Sequence, residues 1–421
     1  MTSAPVASAP ATSSAASTSP PATSSSRSPR RRASTPRSVR RLRRLQVTAV
    51  LLLLTFGALV VTALAVSFDA SSRASESLRQ YERLADARIQ ALKVQQSANT
   101  WALTPTDAVR ADVTKQLTYL ATRLADASAV DADRSRIVPL TGALVRYSMT
   151  LQDALNARGT ASATLLAKAD SQLGDELLTP LTAAATGAAD RVSTELNAGW
   201  LPWVIGGAVV TLGGMVAISV ALARASHRYL NPGIVLATLA ALACVAILLG
   251  TSNAAASAAS GFGQESRAEL DSMATTHQQL HQMRADELLS VAMQGAGTSY
   301  QQRWATGYAA VRKALKAQAP PGPAEGDLVG YNAAHDQVVA ALSKSQWDTA
   351  SGVATGSSAK TFGSLDTSMN VIESNLRGPV EKSLNSTTDG VAAGIAGVVV
   401  LTLAGCWLAV WGVARRIEEY R

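Results

Sequence analysis

Residues 201–223, LPWVIGGAVVTLGGMVAISVALA, and residues 232–250, PGIVLATLAALACVAILLG, are two uncharged apolar runs joined by RASHRYLN, residues 224–231. At about 1.5 Å per residue, each run spans the roughly 30 Å hydrocarbon core of a bilayer as a helix. The middle of the chain therefore reads as a membrane hairpin with a short basic turn. Outward from it, each side carries a long polar segment, residues 67–200 and 251–389, closed by another apolar run at residues 46–66 and 390–414. The layout is thus one pattern used twice: span, polar segment, span.

None of the four runs contains Asp, Glu, Lys or Arg. A pump or ion-coupled transporter needs ionisable groups at that depth, so the composition argues against one. The formal charge is +8, and its placement says more than its size. Nine arginines and no acid precede the first run; Arg224 and Arg228 lie in the turn, and Arg415, Arg416 and Arg421 follow the last run. Basic residues flanking spans stay on the cytoplasmic side. The reading is a multi-pass plasma-membrane protein with both ends cytoplasmic and both long segments extracytoplasmic. The cytoplasmic pieces are then residues 1–45, 224–231 and 415–421.

Residues 1–45 begin as a Ser, Ala, Pro and Thr tract with too little apolar surface to fold, so a disordered tail is expected. It ends in a basic block, Arg37, Arg40, Arg41, Arg43 and Arg44, placed to meet anionic lipid headgroups. The only two cysteines, Cys244 and Cys406, fall inside spans. Disulfides therefore cannot hold the external segments, and both cysteines read as small packing residues.

Both long segments show helical periodicity. Val109, Val113, Leu117, Leu120 and Leu124 make one stripe; Ile137, Leu140, Leu144, Tyr147, Leu151 and Leu155 make another. In the second segment Tyr300, Trp304, Tyr308, Val311 and Leu315 repeat the spacing of the first of these. Breaks are expected at Thr104-Pro105, Arg158-Gly159, Gly295-Ala296-Gly297, Ala319 to Pro323 and Gly378-Pro379, with a kink at Pro180. The fold class is all-α: four transmembrane helices with two extracytoplasmic four-helix bundles in tandem, the outer helices of each continuing as spans.

Sites of chemistry are scarce. No phosphate-cradling loop, nucleophile elbow or paired zinc motif is present, and no enzyme domain fits the cytoplasmic pieces. Neither catalytic residues, cofactor nor metal are expected. His277 and His281 have a spacing compatible with two metal ligands, but with Gln278, Gln279 and Gln282 around them they read as a solvated polar face. His227 reads as part of an interfacial collar and His335 as a rim residue. The basic block lacks interleaved aromatics, which argues against nucleic acid as a partner. One stretch stands out for charge density: Arg284, Asp286 and Glu287, followed by Tyr300, form a candidate recognition patch at the membrane-distal tip of the second bundle. The alternative is ordinary surface ion pairing around core aromatics.

Two stretches carry a resemblance. Residues 284–300, with Arg284, Asp286, Glu287, Leu288, Leu289, Gly295 and Tyr300, and residues 356–366, GSSAKTFGSLD, are similar to actinobacterial four-span membrane proteins of the GlnX type. That resemblance implies a non-enzymatic relay between an extracytoplasmic GlnH-like solute-binding lipoprotein, sensing amino acids such as aspartate or glutamate, and a cytoplasmic PknG-like Ser/Thr kinase. The competing readings are a direct small-molecule receptor with chemoreceptor-type bundles and a cell-envelope scaffold.

Overall fold

A computed structural model describes residues 37–196, 201–226, 232–261, 264–318 and 322–419. The disordered tail expected over residues 1–45 lies outside the described residues as far as residue 36, and its remainder is corrected, since Arg37 already begins a helix; the expectation for His227 also lies outside the described residues. Among the described residues every regular element is helical. In order they are α1 (Arg37–Leu103), α2 (Asp107–Ser128), α3 (Asp131–Asn156), α4 (Thr160–Gln172), a π-helical turn (Leu173–Leu178), α5 (Thr179–Leu196) and α6 (Leu201–Ser226). The second half has α7 (Pro232–Gly261), α8 (Gln264–Ala292), a short 3-10 turn (Gln294–Ala296), α9 (Thr298–Ala317), α10 (Pro323–Ser343), α11 (Trp347–Val353), a second π-helical turn (Ala354–Ser358) and α12 (Ala359–Glu419).

The predicted breaks have local causes. Helix α1 ends at Leu103 ahead of Pro105, and Thr106 caps α2 by accepting a bond from the Val109 N–H. Gly159, with φ 58°, supplies the left-handed conformation that separates α3 from α4. Gly297 lets the chain turn from α8 into α9, because a Cβ there would meet the Ser290 carbonyl oxygen at 2.5 Å. One expectation needs correction: Gly378-Pro379 does not interrupt the last helix, and α12 runs through it, the cost of the proline being outweighed by packing along a long helix. In the first half a π-turn, Leu173–Leu178, precedes Pro180.

The halves repeat each other in element order. A long first helix, two shorter helices, and a fourth helix broken by a π-turn before it continues describe both, with α8 standing in place of the outer part of α1. In each half a buried tyrosine of the third helix bonds a polar side chain of the first: Tyr147 to Gln95 at 2.8 Å, Tyr331 to Glu287 at 2.9 Å.

Three helices are long and apolar enough to cross a membrane, contained in Arg43–Leu103, Pro232–Ala254 and Trp347–Arg415; a further apolar stretch, Ile205–Ala221, is shorter. The apolar parts of α1, α6, α7 and α12 pack around one core that includes Phe56, Leu64, Met215, Ile234, Leu248 and Val398. Their outer faces leave Val47, Leu51, Val209, Val210, Leu239, Val400, Leu403 and Trp407 exposed. A belt of that size on a water-facing surface would associate, so it marks a membrane protein.

Close approaches fix the register. Thr402 of α12 lies against Gly57 of α1, and Leu53 of α1 lies near Gly405. The same antiparallel register holds far above, where Lys93 of α1 pairs with Asp366 of α12 at 3.7 Å. Over about 40 residues, roughly 60 Å of helix, the two do not slip.

Above the apolar layer the halves pack against each other rather than standing apart. One core joins α1 to α5 with Leu270, Ala274 and Leu289 of α8 and Val380 and Leu384 of α12. Helix α8 touches α1, α4, α9, α10, α11 and α12. Enclosed this way, every residue from Met283 to Val291 is buried, charged ones included.

Candidate functional site

Because α8 has neighbours on all sides, its polar residues have to be satisfied by protein groups. They form three linked clusters along the seam where α8 meets α1, α9, α10 and α12.

The first contains His277 and His281, one turn apart on α8. Both Nε2 atoms reach the same oxygen, Oδ1 of Asp366, at 2.7 and 2.9 Å. The far side of each ring is held too: His277 Nδ1 lies 3.0 Å from Glu373 Oε1, and Gln96 Nε2 donates to His281 Nδ1 at 3.0 Å. Arg377 braces Glu373 at 3.0 Å. The rings are 1% and 0% exposed, whereas the Asp366 side chain is 20% exposed. The expected solvated face is therefore wrong, because α12 covers it with carboxylates. Burial lowers the pKa of His277, but the bonds to Asp366 and Glu373 outweigh it and leave it raised. For His281 burial wins and, with the positive neighbours His277 and Lys93, brings the value down to about 4. Burial raises Asp366, yet the bonds from both histidines hold it well below the usual carboxylate range.

The second cluster surrounds Glu287, which is fully buried. It accepts from Arg284 Nη1 at 2.6 Å, Tyr331 Oη at 2.9 Å and Ser358 Oγ at 2.8 Å, and His335 Nδ1 is 3.3 Å away. Arg284 Nη2 donates to the Ala354 carbonyl at 2.7 Å. Ala354 and Ser358 open and close the second π-turn, so this irregularity supplies two of the partners. His335 stacks on Trp304 at 3.5 Å between centroids, which corrects its reading as a rim residue. Burial pushes Glu287 up, but the bond from His335 and the charge of Arg284 hold it below its ordinary value.

The third cluster crosses the seam to the first half. Arg303 of α9 lies between Asp286 of α8 and Asp170 of α4, 2.8 Å from the latter, and sits 4.7 Å above the Tyr300 ring. Burial, with Asp170 nearby, pushes Asp286 up to about 7 despite Arg303.

The sequence-predicted patch is thus split. Arg284 and Glu287 face α10 and the π-turn, whereas Asp286 joins Tyr300 only through Arg303; none of the three charged residues is on the surface. The two stretches that carried the resemblance do meet, through Arg284 and Glu287 against Ser358 and Phe362. Sequence reading missed Gln96, Asp170, Arg303, Ser358 and Glu373, whose partners are remote in the chain. The His277–His281 spacing was the one available signal. In the basic block, Arg43 and Arg44 are exposed at the start of α1, and the side chains of Arg37 and Arg41 lie outside the described residues.

A polar cleft of ≈ 480 Å³ opens beside the first cluster, between α1, α2 and α12. Glu82, Asp86, Glu373 and Glu381 line it together with Lys93, Arg123 and Arg377. Lys93 and Glu373 belong to both the cleft and the histidine cluster, so a charge bound in the cleft acts on the seam directly. No family model matches the chain, and no curated protein or solved structure does either.

Proposed function

We propose that this chain is a four-span, non-enzymatic transmembrane signalling relay. Residues 67–200 and 251–389 form its two extracytoplasmic bundles, and both ends are cytoplasmic. The observation that carries the reading is the unbroken antiparallel register of α1 and α12, from Gly57–Thr402 in the apolar layer to Lys93–Asp366 in the polar seam. A change at the seam then reaches the apolar layer as a rigid displacement of two helices rather than dissipating in a hinge. Orientation follows from charge: by the same register Arg44 and Arg415 lie at one end, and Trp411, stacked under Arg415 at 5.6 Å, is an interfacial anchor. The turn at residues 224–231 is too short for an output domain. The partners of this relay are an extracytoplasmic solute-binding lipoprotein that senses an amino acid and a cytoplasmic Ser/Thr kinase. Crosslinking the full chain in its native membranes, followed by purification, should recover both; loss of either refutes the relay.

The cleft supports a second reading, direct binding of a small zwitterion by this chain. It presents both signs of charge in a volume suited to an amino acid. Calorimetric titration of the purified full chain with aspartate or glutamate separates the two, since saturable binding without a lipoprotein supports the receptor and its absence supports the relay.

A further inference from the structure

We propose that His277, His281 and Asp366 form an extracytoplasmic site for a borderline transition-metal cation, Zn²⁺ in the first instance, that clamps α8 to α12. The proposal stands on the seam's geometry and is independent of which signalling partners the chain has.

The donor set comes first. Two imidazole nitrogens on one helix face, at i and i+4, and one carboxylate oxygen from a facing helix all lie within 4.8 Å of one another. Two nitrogen donors disfavour Ca²⁺ and Mg²⁺, which prefer oxygen shells, and suit Zn²⁺. Bonds of about 2.0–2.2 Å in a tetrahedron put donors roughly 3.4 Å apart. The observed 2.7 and 2.9 Å contacts must open by about 0.5–0.7 Å to reach that separation, a rotamer-scale adjustment against the partly exposed Asp366.

The surroundings also fit. A metal-bound histidine donates its other N–H to an acceptor that fixes its orientation. Glu373 stands at His277 Nδ1 in this way and is itself held by Arg377. Gln96 stands at His281 Nδ1 and has to turn its amide so that Oε1 accepts, giving up the 2.7 Å bond its Nε2 now donates to the His281 carbonyl. The Asp366 and Glu373 carboxylates offset a divalent charge, and Lys93, bound to Asp366 Oδ2 at 3.7 Å with a 36% exposed side chain, can move aside. Three protein donors leave a fourth position for water or an exchangeable ligand, the pattern of a functional rather than a purely structural zinc site.

The test uses untagged full-length protein in detergent or nanodiscs, stripped with chelator and then titrated with Co²⁺. The expected result is one Co²⁺ per chain with the intense visible bands of a four-coordinate site, displaced by Zn²⁺. His281→Gln and Asp366→Asn should abolish those bands. Glu373→Gln, which removes only the orienting carboxylate, should weaken binding about 10- to 100-fold. Wild-type protein with no stoichiometric Co²⁺, or with only a pale six-coordinate spectrum, overturns the site. So does unchanged binding in the ligand variants. Should those variants fail to fold, wild type and Glu373→Gln decide the matter, with undiminished affinity in the latter counting as refutation.

Discussion

Glu287→Gln is the substitution whose cost the structure defines most sharply. The carboxylate is fully buried and receives bonds from Arg284, Tyr331 and Ser358, with His335 close by. An amide of the same shape cannot accept at both ends: its NH₂ faces at least one of these donors, and Arg284, itself only 6% exposed in its side chain, loses its counter-charge. Removing one partner of a buried pair costs about 3–5 kcal/mol. With neither group near solvent, screening does not reduce that figure. The shift per kcal/mol is about 2–4 °C at 150–250 residues and smaller for a longer chain, so the melting temperature of the full chain in detergent should fall by roughly 5 °C. Arg284→Met should cost a similar amount, because it strands the carboxylate. Arg284→Met with Glu287→Leu should cost much less than the sum, since no uncompensated charge remains. Intrinsic fluorescence, to which Trp304 contributes from its stack on His335, reports the transition. A Glu287→Gln variant melting with wild type, or a strictly additive double variant, would refute the claim that this is a closed buried pair.

Three further outcomes follow from the same geometry. Asp286, raised to about 7, binds a proton more tightly folded than unfolded, so its contribution to stability is full below about pH 4 and is lost as pH rises through 7; Asp286→Asn should remove up to about 2.5 kcal/mol of that decline between pH 5 and 8, and melting curves parallel to wild type across that range would contradict it. A Cβ on Gly233 would stand 2.5 Å from the Gly412 Cα and the Leu408 carbonyl oxygen, so Gly233→Val should force α7 from α12 and lower the melting temperature, whereas Gly206→Val, with open space around it, should not. Tyr331→Phe removes a bond to a charged group and should cost about 1.5–3 kcal/mol, against about 0.5–1.5 kcal/mol for Tyr147→Phe, whose acceptor is the neutral Gln95; equal melting temperatures would show that Glu287 carries no net charge in the fold.

Helices and their ends were legible because their causes are local. Pro105, Gly159, Gly297 and Pro323 act on the chain within a turn of where they stand. Pro379 misled because the loss of one N–H bond in α12 is outweighed by packing along a 61-residue helix, which no local rule contains. The site was less legible for a related reason. Periodicity says which residues share a face, not what covers it. His277, His281, Arg284, Asp286 and Glu287 form a polar surface in sequence, and on an outer helix they would meet water. Helix α8 is central instead, an arrangement set by contacts with α1, α9, α10 and α12 that lie tens to hundreds of residues away.

This arrangement also restricts how the seam can move. The pairs joining α8 to α12 and the π-turn before it, His277 with Asp366 and Glu373, and Glu287 with Ser358, are all short, so each loses its partner if α12 shifts by one residue rise of about 1.5 Å. Partial displacement leaves several buried charges unpaired at once, a cost of several kcal/mol. A one-turn shift of about 5.4 Å is different for the histidine cluster. His277 and His281 are themselves one turn apart and already share Asp366, so a carboxylate moving along α8 leaves one ring while staying near the other. No equivalent partner awaits Glu287 one turn along, because Ser358 is fixed to the π-turn that also binds Arg284. The histidine end of the seam is therefore built to tolerate sliding and the glutamate end to resist it.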